Sequence, residues 1–281
     1  MRWFTLLIGI VLLLSLAVGP SAADDTAEDT PWAKFSFNAG AFLSNTATNV
    51  RFGSGLGVTV NVEDALGLEA ENQVFRLETY WRFTDNRRHR VDFSWFSLKR
   101  DATRKLTDDI TINPPNQDEI TLETGTVIDS FFDLDIYQVN YRYSFYQDER
   151  LDMSGGIGLY VMPISFGVSS TGLVDEQGDQ SFTAPLPALS MKIDVLITPK
   201  WYFRNSADIF YVEYIGIVGS MTNFRSAIEY NPWKHFGLGA GVDFMHLYLE
   251  GNGQLLYPDN DFKGTVAFNY VGLYLYGRVY F

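Results

Sequence analysis

The sequence predicts an all-β chain, folded as a single transmembrane antiparallel up-and-down barrel of about ten strands. Three observations carry that expectation. Apolar and polar residues alternate with period two from Pro31 to the last residue, as they do where one strand face meets lipid and the other a polar lumen. Aromatics make up 16% of the residues while mean hydropathy is only −0.05, which suits alternation better than a uniformly apolar core. Connections change regularly between tight turns and long loops, as in barrels with one short-turn rim and one long-loop rim.

The first segment reads as a targeting signal. Arg2 precedes an apolar run from Trp3 to Val18, Gly19-Pro20 breaks the run, and Ser21-Ala22-Ala23 supplies small residues for cleavage. Residues 1–23 are therefore expected to be a signal peptide, 24–31 a short periplasmic segment, and 32–281 the barrel. The apolar run is shorter than the roughly 20 residues a spanning helix needs. Cleavage removes Arg2 alone among the charged residues, leaving 20 basic against 34 acidic residues, or −14.

The strands follow in order. Phe35, Phe37, Ala39, Ala41 and Leu43 form one apolar row. Phe75, Leu77, Thr79, Trp81 and Phe83 interleave with Arg76, Glu78, Tyr80 and Arg82, and Val91, Phe93 and Trp95 with Arg90, Asp92 and Ser94. Tyr137 to Phe145 alternate with Gln138, Asn140, Arg142 and Ser144, and Leu151 to Val161 follow. Leu189 to Ile197, Trp201 to Tyr211, Phe224 to Tyr230, Phe236 to Phe244 and Val271 to Phe281 complete ten. Thr84 to Arg88, Tyr146 to Arg150, Thr198 to Lys200 and Asn231 to His235 are tight, with turn-forming Asp, Asn and Pro among them. Ser44 to Asn72, Arg100 to about Asp135, Phe166 to Pro185 and Glu250 to Gly264 read as long loops, and Ile215 to Ser220 as a short one. Eight or twelve strands stay open, because Val58 to Val62 and Ile120 to Thr126 could add strands or extend hairpins above the membrane.

Aromatics give a second register mark. Trp32, Trp81, Phe83, Tyr143, Phe145, Trp201, Phe203, Tyr230, Phe236 and Phe281 cluster beside tight turns or a terminus and should ring the inner interface. Phe42, Phe166, Tyr211 and Phe268 fall near the opposite rim. The glycines of Gly155-Gly156-Ile-Gly158 and Gly237-Leu-Gly239-Ala-Gly241 read as small inward positions that make room for Tyr274 and Tyr276.

The run Leu273-Tyr-Leu-Tyr-Gly-Arg-Val-Tyr-Phe281 resembles the C-terminal sorting signal of bacterial outer-membrane barrels. The stretches Val62 to Leu68, Phe75-Arg-Leu and His89 to Ser94 look similar to small members of that class without an assigned activity. The resemblance implies that the barrel-assembly machinery reads Val279 and Phe281, and that outer-membrane lipid and lipopolysaccharide surround the wall. The last strand should then close the barrel against Phe35 to Leu43.

Several functions are excluded or disfavoured by residue type. A net charge of −13 lacks the basic footprint of nucleic-acid binding. No cysteine is present, which removes disulfides, thiolate metal sites and thiol nucleophiles. Of three histidines, His89 and His235 lie at turns, while His246 lies near Asp243 and Glu250 but lacks a nucleophilic Ser two residues on, where Tyr248 stands. No catalytic, cofactor or metal site is therefore expected. The acidic stretch with Asp101, Asp108, Asp109, Asp118, Glu119, Glu123, Asp129, Asp133 and Asp135 against Arg104 and Lys105 could hold divalent cations, but matches no cation-loop spacing and reads as solvated surface.

The candidate site is the lumen. Arg76, Glu78, Arg82, Arg90, Asp92, Arg142, Asp194, Arg204, Asp208, Arg225, Glu229 and Arg278 should face inward together with Asp152, Lys192 and Asp243. Mixed in sign and confined in a narrow barrel, they should pair and fill the interior. The competing expectation is a narrow passive channel lined by the same groups. A surface binding module working through the acidic loops is a third.

Overall fold

The computed structural model describes residues 30–52, 60–107, 109–112, 120–170, 177–214, 217–252 and 263–281. Ten long strands form one closed antiparallel sheet: β1 (Phe35–Phe52), β2 (Glu71–Arg82), β3 (His89–Lys105), β4 (Val127–Gln147), β5 (Leu151–Ser170), β6 (Gln177–Thr198), β7 (Trp201–Tyr214), β8 (Ile217–Trp233), β9 (Phe236–Asn252) and β10 (Lys263–Tyr280). Each pairs with its chain neighbours, and β10 closes on β1 from Ser36↔Tyr280 to Phe52↔Gly264. Closure leaves the sheet no free edge, which a spanning sheet requires.

The register fixes the shape. A row followed from Phe35 through Trp81, Val91, Tyr141, Ile157, Leu189, Ile209, Thr222, His246 and Asn269 returns to β1 at Ala47, twelve residues beyond its start. Ten strands with that stagger tilt by about 40° and enclose a radius of about 10 Å at ordinary strand spacings. Each residue then climbs about 2.5 Å along the barrel axis.

On that scale the inner aromatic ring is real. Phe35, Trp81, Phe83, Tyr143, Phe145, Trp201, Phe203, Tyr230, Phe236 and Phe281 fall within a band about 7 Å tall, and Trp81, Phe145 and Trp201 stand well exposed on the wall. Trp32 is not among them; it is 2% exposed. Phe42, Phe166 and Phe268 are buried inside the barrel, and of the four residues expected at the outer rim only Tyr211 faces outward. Their parity gives the reason, since Phe42 is out of step with the outward Leu43. Apart from Thr79, Asn205 and Ser226, outward polar side chains resume with Gln73, Asp135 and His246, about 24 Å above the ring. The apolar band thus matches the roughly 25 Å of an outer-membrane barrel.

Strands run well past the expected loop boundaries: β1 reaches Phe52, β4 begins at Val127, and the β5–β6 pair extends to Ser169↔Gln177. Val60–Asn61 bridges to Val50 and Asn49, and Ile110–Ile112 pairs with Ile120–Leu122 in a separate small hairpin. Neither adds a stave, so the count is ten; Val58 and Thr59 lie outside the described residues. Between β1 and β2 sits one helical turn, α1 (Val62–Leu66). Asn61 Oδ1 caps it by accepting from the Asp64 N–H at 2.8 Å, and Gly67, at φ 81°, ends it.

Candidate functional site

The lumen is built in two storeys. The lower one, from the aromatic ring to about 17 Å above it, holds eight cations (Arg76, Arg82, Arg90, Arg142, Lys192, Arg204, Arg225, Arg278) and seven anions (Glu78, Asp92, Asp152, Asp194, Asp208, Glu229, Asp243), each in at least one ion pair. Period two aims them inward, and the stagger decides which of them meet.

Three groupings result, the second and third joined through Arg204. In the first, Arg76 reaches Asp243 at 2.5 Å and Glu78 at 3.0 Å, while Arg225 pairs with the same two carboxylates. In the second, Arg142 joins Asp92 (2.7 Å) to Asp208 (3.4 Å), and Asp208 accepts from the Tyr160 hydroxyl at 2.7 Å and Gln138 Nε2 at 3.0 Å. Arg90 links Asp92 to Asp194, which also meets Lys192 and Arg204. In the third, Glu229 is held by Arg204 (2.9 Å) and Arg278, and Arg278 donates to the Tyr80 hydroxyl at 2.6 Å. Arg82 and Asp152 pair separately, at 2.5 Å, between β2 and β5. Charges removed from water must be compensated this way, because an orphaned ion in the interior is very costly.

A cavity of about 80 Å³ remains among these groups, room for several waters. Below it the N-terminal segment crosses the opening. The Trp32 indole donates to the Asp148 carbonyl at 2.7 Å, Arg87 donates to the Trp32 carbonyl at 2.6 Å, and the Tyr202 hydroxyl donates to the Pro31 carbonyl at 3.1 Å. Trp32 also packs edge-on against Tyr202.

The upper storey is apolar, which corrects the expectation of a polar lumen throughout. Phe132, Leu134 and Ile136 from β4, Met162 and Ile164 from β5, Met245 and Leu247 from β9, and Val266 and Phe268 from β10 are 0–1% exposed. Leu66 and Leu68 join this core from the α1 segment. Arg100 fastens α1 to the wall: it donates to Glu63 (2.5 Å), Thr46 (3.0 Å) and Thr48 (2.7 Å), with Phe132 beneath its guanidinium at 4.9 Å. These strand ends rise beyond the apolar band into water, so the inward face becomes the apolar one.

Every residue expected in the lumen network lies in the lower storey. Reading the sequence did not single out Arg100, Glu63 or the upper core, and it placed Trp32 in the aromatic ring rather than on the lumen floor. Gly239 does make room for a bulky neighbour, since a Cβ there would overlap the Tyr276 ring. Gly155, however, faces outward beside Phe145, while Gly156 and Gly158 face in. His246 points outward and meets Asn269 Oδ1 at 2.5 Å; Asp243, three positions away, points inward. His89 and His235 meet the Tyr141 hydroxyl and the Tyr280 carbonyl. In the acidic stretch Asp109 accepts from the Thr124 N–H and hydroxyl, both at 2.7 Å, which draws its carboxyl below the usual range. Asp108, Asp118 and Glu119 lie outside the described residues. Among the described residues no cluster of three His, Asp or Glu could hold a metal ion.

No family model and no curated relative matches the chain. Solved structures do. The outer membrane protease OmpT from Escherichia coli superposes with a TM-score of 0.51 at 9% identity, over 92% of this chain and 99% of that one. Ail of Yersinia pestis (TM-score 0.34, 9% identity, 86% and 99% covered) and OprG of Pseudomonas aeruginosa (0.32, 10%, 90% and 98%) also match. At these identities the likeness is one of fold. The chain has the fold of a bacterial outer-membrane β-barrel.

Proposed function

We propose that the chain is an exported, non-enzymatic outer-membrane protein with a structural or surface role, its lumen closed to solutes. The observation that carries this reading is the packed apolar storey stacked on the cross-braced charged one. A passive channel needs a continuous polar path, and the buried side chains around Phe132 and Phe268 offer none. Hydrolysis needs an acid–base group beside a nucleophile. Among the described residues no histidine pairs with a carboxylate, and His246 faces the outer wall. The lower storey sums to +1, so a chain at −13 carries −14 elsewhere, which supports a surface role for the acidic loops. Its partners on this reading are outer-membrane lipid and lipopolysaccharide and, during insertion, the assembly machinery reading Val279 and Phe281. Purified protein folded into a planar bilayer should give no conductance above the lipid baseline. Discrete, reproducible openings would refute closure and restore the channel.

A further inference from the structure

Asn205 on β7 and Ser226 on β8 are register partners. Both point outward, because Arg204, Ser206, Arg225 and Ala227 on either side of them line the internal cavity. The stagger places the pair about 8 to 11 Å above the aromatic ring, within the roughly 25 Å apolar band. Ser226 Oγ donates to Asn205 Oδ1 at 2.9 Å. Among the described residues nothing accepts from the Asn205 amide nitrogen. Thr79, at the same height on the far wall, shows the alternative: its hydroxyl donates to the Ser36 carbonyl at 2.9 Å. Amide hydrogens left facing hydrocarbon have no water to meet and are costly.

We infer that this patch is a contact between two copies of the chain, in which Asn205 of each donates its amide to Asn205 Oδ1 of the other. A carboxamide carries both donor and acceptor, so it is complementary to itself across a two-fold axis. A lipid acyl chain offers neither. The surroundings suit close approach, since Ala207 beside Asn205 on β7 and Ser226 itself keep the wall low within a rim of exposed Phe203, Phe224, Ile228 and Val242. Small side chains beside an intramembrane hydrogen bond are what packing in lipid favours.

The chain has no cysteine, so Asn205→Cys introduces a single thiol. Oxidation of outer membranes holding this variant should give a disulfide-linked dimer on non-reducing gels. Val139→Cys, more lipid-exposed and on β4, should give only background. Asn205→Leu should stay folded, judged by its heat-modifiable migration, and self-associate about tenfold more weakly in sedimentation of the micellar protein. Equal cross-linking at positions 205 and 139, or an Asn205→Leu chain that associates as strongly as the parent, overturns the assignment.

Discussion

The Arg82–Asp152 pair offers the sharpest test of the lower storey. Both side chains are 2% exposed and meet at 2.5 Å between β2 and β5. Arg82 also donates to the Arg87 carbonyl at 2.6 Å, whereas Asp152 has one other contact, Gln147 Nε2 at 3.4 Å. Arg82→Met therefore leaves a buried carboxylate with one weak partner, and should cost about 4 kcal/mol of unfolding free energy. Asp152→Asn leaves the guanidinium its carbonyl acceptor and should cost about 3 kcal/mol. The double variant orphans no charge. Arg82 Nε and Asp152 Oδ1 have no partner even in the parent, so the pair only partly offsets its desolvation, and the double variant should cost about 2 kcal/mol, less than either single. A coupling of about 5 kcal/mol follows. Urea unfolding of the micellar protein, followed by tryptophan fluorescence and gel migration, measures all four corners. Additive single costs would refute the claim that the two groups act as one buried pair.

Other consequences concern the α1 segment, the turns and the packing. Leu66→Ala removes a nearly buried side chain of the α1 segment from the upper core and should cost about 2 to 4 kcal/mol in the same urea titration. Gly239→Ala pushes a methyl into the Tyr276 ring and should destabilise by about 1 to 3 kcal/mol, while Ala240→Gly next to it should not report overpacking. In the β4–β5 turn Asp148 accepts from the Tyr146 hydroxyl and from the Arg150 and Leu151 N–H groups, which together hold its carboxyl below the usual 3.8. A depressed carboxyl contributes stability above its unfolded value and loses it as pH falls through the folded one. Amide exchange at Arg150 and Leu151 should therefore be pH-insensitive in structural protection down to about pH 4 and rise below it, and Asp148→Asn should abolish that step.

How much of this was legible follows from what each solvent imposes. Lipid punishes every outward polar group, so the outward rows, the tight turns and the β1–β10 closure stand in the sequence. Arg82 and Asp152 are each readable as inward, but their meeting depends on a stagger of twelve residues, which no local pattern encodes. The same holds for Arg76 and Asp243, on β2 and β9. Trp32 misleads for a different reason: a tryptophan beside a turn fits an interfacial ring, and only the three hydrogen bonds around it show that it belongs to the lumen floor.

The upper storey, by contrast, left a trace that alternation alone hides. On β4 the apolar parity switches at Ile136-Tyr137: Tyr137, Val139 and Tyr141 face out, while Ile136, Leu134 and Phe132 face in. The same adjacent apolar doublet occurs at Val161-Met162 on β5, Phe244-Met245 on β9 and Tyr270-Val271 on β10. By the register these doublets lie at similar heights, about 20 to 24 Å above the aromatic ring. Below them the barrel is inverted, apolar outside and charged within, because lipid is its solvent. Above them it is an ordinary water-soluble sheet with a hydrophobic core, because water is. The strand goes on unbroken through that change, so the residues past the doublet look like loop to a reader following one parity. The doublets mark where the membrane ends, and the closed upper storey is what such a barrel builds once its outer face is wet.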